Sequence, residues 1–165
     1  MTQSWTDWRT ASCMPDRCFC EAVHAGAVRQ PANAISSGAF VVVALLVLMR
    51  SRTPTAWRFA SAVFVVGAGS AFFHASLTFW GQTVDVLGMY LVATFLLMES
   101  LSRRRRWSAV TQNVLYVSGN IALLALLVGI PGLRRYAFAA LVVAILWSEA
   151  THRVRGVMTT PLRAL

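Results

Sequence analysis

Residues 59–80 read FASAVFVVGAGSAFFHASLTFW, and this stretch decides the fold class. It contains no Asp, Glu, Lys or Arg, and its one titratable side chain is His74. A hydrocarbon core of roughly 30 Å needs about 20 such residues in a helix. The apolar residues do not alternate, and an open sheet edge leaves its backbone groups unsatisfied in lipid, so a span of this kind is helical. Four more apolar runs follow the same rule: 33–49, 84–101, 109–130 and a shorter one at 136–149.

Composition agrees. The chain of 165 residues is 57% apolar and 13% charged, whereas soluble domains carry about 25% charged residues. Six acids and fifteen bases cannot coat a water-soluble globule of this size, so soluble, disordered and collagen-like classes are excluded. The expected architecture is all-α, a polytopic transmembrane helix bundle of about five spans. It divides into a polar N-terminal segment (1–32), the bundle (33–150) and a basic tail (151–165).

The net charge of +9 comes from arginine alone, with no lysine anywhere. The arginines cluster between the apolar runs, at 50, 52 and 58, at 103–106, at 134 and 135, and at 153 and 155. A nucleic-acid groove needs bases on a continuous polar face with aromatics interleaved. Bases at span ends are a topology signal instead. With the N-terminus outside, ten arginines fall on inner loops and tail and five on the outer side. The expected arrangement is N-terminus out and C-terminus in, in a bacterial inner membrane, although Arg134 and Arg135 vote the other way.

A cleavable signal begins with a basic region and an apolar run. Residues 1–32 instead hold Trp5, Asp7, Trp8, Asp16, Glu21 and the three cysteines 13, 18 and 20. The first span therefore acts as its own insertion signal, and the cysteines face an oxidising compartment as a disulfide or free thiols. A zinc knuckle needs a fourth ligand and more regular spacing.

Ionisable groups inside spans are expensive and mark function by default. Glu99 and Glu149 lie beside arginines at span ends, where ion pairing explains them. His74 and Asp85 differ. Ser70 precedes His74 by four residues and so shares its helix face, while Gly67, Gly69 and Ala71 permit close approach of a neighbour. A tight turn near Gly81 and Gln82 brings Asp85 to the depth of His74. Serving only as interhelical glue is the bland role for such a pair. Two chemistries also fit the trio: a metal site with a carboxylate orienting water, or a serine nucleophile with histidine as base. No glycine-flanked nucleophile turn is evident, which favours the metal.

The runs Cys20-Glu21, Gln30-Pro31-Ala32-Asn33-Ala34-Ile35-Ser36-Ser37 and Gly69-Ser70-Ala71-Phe72-Phe73-His74-Ala75-Ser76-Leu77, followed by Asp85, resemble the alkaline ceramidase family. That family belongs to the membrane hydrolase superfamily that includes the adiponectin and progestin receptors. The resemblance covers about residues 18–100. It implies a seven-helix fold, here shortened by the last two helices, and zinc-dependent cleavage of a lipid amide, ceramide to sphingoid base and fatty acid. His74 would be a zinc ligand, with Ser70 and Asp85 catalytic at the metal-bound water and the developing oxyanion. Calcium is the second metal implied, with Asp16 and Glu21 as its oxygen donors, few for a cation that takes six to eight.

The family's last helix supplies two more histidines spaced four apart, and this chain has no such pair. Its other histidines are His24 and His152. His152 falls at the opposite membrane side from His74, on the order of 20 Å away by helix rise. The alternative function is a non-catalytic sensor or assembly protein on the same scaffold.

Overall fold

The computed structural model describes residues 5–12, 20–105 and 107–159, with backbone only at 6, 104 and 152–159. Asp16, Cys13 and Cys18 lie outside the described residues, as does the side chain of His152. The chain is all-α. A short helix α1 (Pro31–Ser36) leads at Ser37 into α2 (Gly38–Arg50), followed by α3 (Pro54–Ser76), α4 (Phe79–Arg105), α5 (Ala109–Gly129) and α6 (Arg134–Thr159). Single 3-10 turns occur at Trp5–Asp7 and Pro131–Leu133.

Local chemistry sets the helix starts. Thr53 caps α3, its hydroxyl accepting from the Ala56 N–H at 3.2 Å, with Pro54 in the first turn where its missing N–H does no harm. Ser108 caps α5 in the same way, accepting from the Thr111 N–H at 3.1 Å.

Four helical stretches among the described residues are long and apolar enough to cross a membrane: Pro31–Arg50, Pro54–Ser76, Phe79–Arg103 and Ala109–Gly129. Their outward faces are apolar, as at Ile121 (62% exposed) and Leu46 (51%), the surface a lipid solvent requires. The chain is a multi-pass membrane protein. The fifth expected run is helical too, as the middle of α6. That helix continues to Thr159, through most of the stretch read as a tail.

α4 is the central helix, packed on α3, α5 and α6, and α3 lies between α2 and α4. Glycines permit these contacts. A Cβ at Gly67 would stand 2.9 Å from the Val41 backbone nitrogen in α2, and one at Gly88 would stand 2.8 Å from Val66 in α3. Small residues let helix backbones approach where lipid supplies no hydrophobic drive for association. The small buried core of Ala44, Ala60 and Val63 sits at the α2–α3 contact.

One end of the bundle is tied by charge. Arg58 reaches Glu99 at 3.9 Å and Asn113 at 3.0 Å, and Arg103 pairs with Glu149. Both acids are thus neutralised as the sequence implied. Between spans, Asn120 donates to Thr94 at 2.8 Å, and Ser100 shares a hydrogen bond with Ser148 at 2.8 Å. Polar groups inside the bundle face one another and not lipid.

Candidate functional site at the opposite end of the bundle

The site forms where α3 ends. The last carbonyls of a helix have no partner within it, and lipid offers none. Here the N-terminal segment supplies them. The Gln30 N–H donates to the His74 carbonyl at 3.0 Å, Arg29 to Ala75 at 3.0 Å, and Ala11 to Leu77 at 3.1 Å. Thr10 and Thr78 form an antiparallel bridge. Leu77 takes the left-handed conformation with φ 52°, and its N–H returns to the Phe73 carbonyl at 2.7 Å, the usual way a helix is closed.

The turn between α3 and α4 is therefore at Leu77 and Thr78, not at Gly81 and Gln82 as expected. Thr78 accepts from the Gly81 N–H at 3.1 Å, an N-cap that starts α4 at Phe79, five residues before the expected Val84, and draws Gly81 and Gln82 into the helix. The role of a tight antiparallel turn is unchanged, and it sets Asp85 in the second turn of α4.

His74 is buried, 8% exposed, and its Nδ1 lies 2.8 Å from Gln30 Oε1. Gln30 is wholly buried, and its Nε2 donates to the Glu21 carbonyl at 2.9 Å. That second bond fixes the amide: the nitrogen faces Glu21, so the oxygen faces the imidazole. An amide oxygen only accepts. The neutral imidazole thus carries its proton on Nδ1, leaving the lone pair on Nε2. The Glu21 carboxylate in turn accepts from the Ala32 and Asn33 N–H groups at 2.7 and 2.8 Å, at the start of α1. Both of its oxygens are engaged in holding the segment that carries Gln30.

Ser70 lies one turn before His74. Its side chain stands beside that of Asp85 across the α3–α4 contact. Ser37, buried at the α1–α2 junction, places its hydroxyl 3.1 Å from Ser70 Oγ and 2.7 Å from the Asn33 carbonyl. Gly69 explains the pairing: a Cβ there would meet the Val84 carbonyl carbon and oxygen at 2.9 Å and the Asp85 nitrogen at 3.0 Å. With the two backbones this close, the residues next to them are forced together. Three helices thus meet at Ser37, Ser70 and Asp85.

One turn further into the bundle from each lie Phe40, Val66 and Met89, which line an apolar cavity of about 520 Å³ reaching along α2, α3, α4 and α6 to Phe59 and Ile145. A polar cluster thus heads an apolar groove, the usual composition of a small-molecule site.

This geometry removes the serine-nucleophile triad. In such a triad the orienting carboxylate holds Nδ1 and the serine faces Nε2. Here the Gln30 amide oxygen, and not a carboxylate, stands at Nδ1. Zinc takes four ligands. Among the described residues no three His, Cys, Asp or Glu side chains are grouped to hold a metal, and His24 is exposed on the N-terminal segment. The described residues therefore do not by themselves make a zinc site. Cys20 is an exposed free thiol. Gln30 and Ser37 carried no predicted role. Both stand in the quoted run beside Pro31 and Asn33, and a glutamine before a proline at a span's mouth was the available signal.

No curated protein and no solved structure matches this chain. The sequence model of the family described as Ceramidase matches residues 16–157, a range that includes Glu21, Gln30, Ser37, Ser70, His74 and Asp85. The chain belongs to the ceramidase family.

Proposed function

We propose that this protein hydrolyses the amide bond of a ceramide-type membrane lipid, releasing a sphingoid base and a fatty acid. The observation that carries this is the Ser37, Ser70 and Asp85 cluster at the head of the apolar cavity. A lipid amide needs both: apolar volume for its chain and polar groups at the scissile bond. Asp85 accepts a proton from the attacking water and returns it to the departing amine nitrogen, and while Asp85 is protonated the Ser70 hydroxyl donates to the carbonyl oxygen on which charge develops.

Zinc and calcium enter through the resemblance. Zinc would activate water at this end of the bundle, with His74 Nε2 as its imidazole donor. The described site offers a single imidazole, fewer ligands than zinc takes. That same observation favours a second role, a non-catalytic membrane protein on the ceramidase scaffold.

The deciding experiment measures fatty-acid release from ceramide in detergent micelles, with metal content determined before and after chelation. The hydrolase predicts turnover that Asp85→Asn, Ser70→Ala and His74→Ala each lower by about a hundredfold or more in protein that still melts cooperatively. Wild-type protein that melts cooperatively and releases nothing, with zinc supplied, leaves the non-catalytic role. The arginine asymmetry supports an outward N-terminus, and the all-arginine usage is compatible with a bacterial inner membrane. A membrane-impermeant maleimide should then label Cys20, which is exposed, in intact cells.

A further inference from the structure

A second cavity, of about 320 Å³, opens at the same end of the bundle and is lined by Ser12, Pro131, Gly132, Arg134, Arg135 and Tyr136. Two adjacent arginines stand here at the first turn of α6. That is an unfavourable place for them. The N-terminus of a helix carries positive partial charge and favours anions by about 0.3–1 kcal/mol each. Arg134 and Arg135 also oppose each other's charge. No carboxylate among the described residues pairs with either one.

Arg134 is held in place by neutral acceptors. Its Nη1 donates to Gln82 Oε1 at 3.0 Å and to Ser12 Oγ, and the same Gln82 oxygen accepts from the Ser12 N–H at 3.0 Å. Gln82 is buried in the first turn of α4. The guanidinium is thus fixed by the fold, and no carboxylate among the described residues compensates its charge. Arg135 makes no hydrogen bond among the described residues and is exposed at the cavity. The rim is apolar and suits a bilayer surface, with Tyr136 72% and Ile130 55% exposed. Interfacial tyrosines sit at headgroup depth.

We infer that this cavity binds a phosphate-type anion, supplied by an anionic phospholipid headgroup or as free phosphate. Two guanidinium groups present forked N–H donors matched to phosphate oxygens, and the volume lies at the small end of ligand sites. The site is separate from Ser70 and Asp85 and stands whether or not the protein hydrolyses lipid.

The test uses the whole protein in neutral detergent, titrated in parallel with dioleoylphosphatidylglycerol, dioleoylphosphatidylcholine and inorganic phosphate. Melting temperature and retained lipid by native mass spectrometry are read. Phosphatidylglycerol should raise the melting temperature more than phosphatidylcholine, and Arg135→Gln should weaken its binding about tenfold or more. Arg52→Gln, which removes an equal charge at the opposite end, should leave it unchanged. Inorganic phosphate that reproduces the rise, again lost in Arg135→Gln, supports the site with the free ion as its source. No rise with either anion, or a rise that Arg135→Gln leaves intact, overturns it. Arg134→Gln also removes the ties to Ser12 and Gln82, so Arg135→Gln is the discriminating variant.

Discussion

The Nδ1 of His74 and the amide oxygen of Gln30 lie 2.8 Å apart, and that bond fixes which nitrogen of the ring bears the proton. Gln30→Ala would strand the Nδ1 donor and the Glu21 carbonyl in a buried position. Unsatisfied buried groups cost about 1–3 kcal/mol each, so thermal unfolding in detergent should show a loss of that order. The ring's nitrogen-15 spectrum gives a more specific readout. Wild-type protein should show the Nδ1-protonated neutral ring, and Gln30→Ala a mixture of tautomers. An unchanged spectrum would remove the orienting role from Gln30.

Gly69 and Gly119 should respond in opposite directions to the same change. At Gly69 a methyl group meets the Val84 backbone at 2.9 Å, whereas at Gly119 nothing lies within 4 Å. Backbone cannot yield as a side chain can, so Gly69→Ala should destabilise by about 1–3 kcal/mol. Gly119→Ala should stabilise α5 by about 0.5–1 kcal/mol. Chemical denaturation in mixed micelles measures both.

Among the described residues Ser37 is linked to Asp85 through Ser70. Ser37→Ala should therefore lower turnover by about tenfold, equivalent to roughly 1.4 kcal/mol, with little change in KM. Ser70→Ala should lower it further, and the double variant should match Ser70→Ala alone. Additive losses on ceramide hydrolysis would show that Ser37 acts independently.

The Arg103–Glu149 pair should matter little. Both side chains are more than a third exposed, and exposed pairs contribute about 0.2–1 kcal/mol. A double-mutant cycle with Arg103→Gln and Glu149→Gln should return a coupling energy in that range, shrinking as salt is raised.

How much of this was legible in the sequence depends on the range of each interaction. The spans were legible because hydropathy is summed over about 20 neighbouring residues, and the acids at span ends were legible because arginines flank them. The approach of α3 to α4 was legible in Gly67 and Gly69, whereas the expected partner of Asp85 was His74, whose Nδ1 meets Gln30 instead. The position of the turn was not. It depends on whether Thr78 or a later residue caps α4, a contest between short polar side chains decided within one turn. The Gln30 partnership was also hidden, because 44 positions separate it from His74 and only the packed bundle brings them together.

The saddle that the N-terminal segment forms over the end of α3 has a consequence for biogenesis. Gln30 emerges from the ribosome before the first span and His74 near the end of the second, so neither can meet the other until both spans are inserted as a hairpin. The imidazole acquires its fixed proton only at that moment. The chemistry of the site is thereby tied to correct insertion, and a chain threaded with either span missing would present a histidine with no orientation at all.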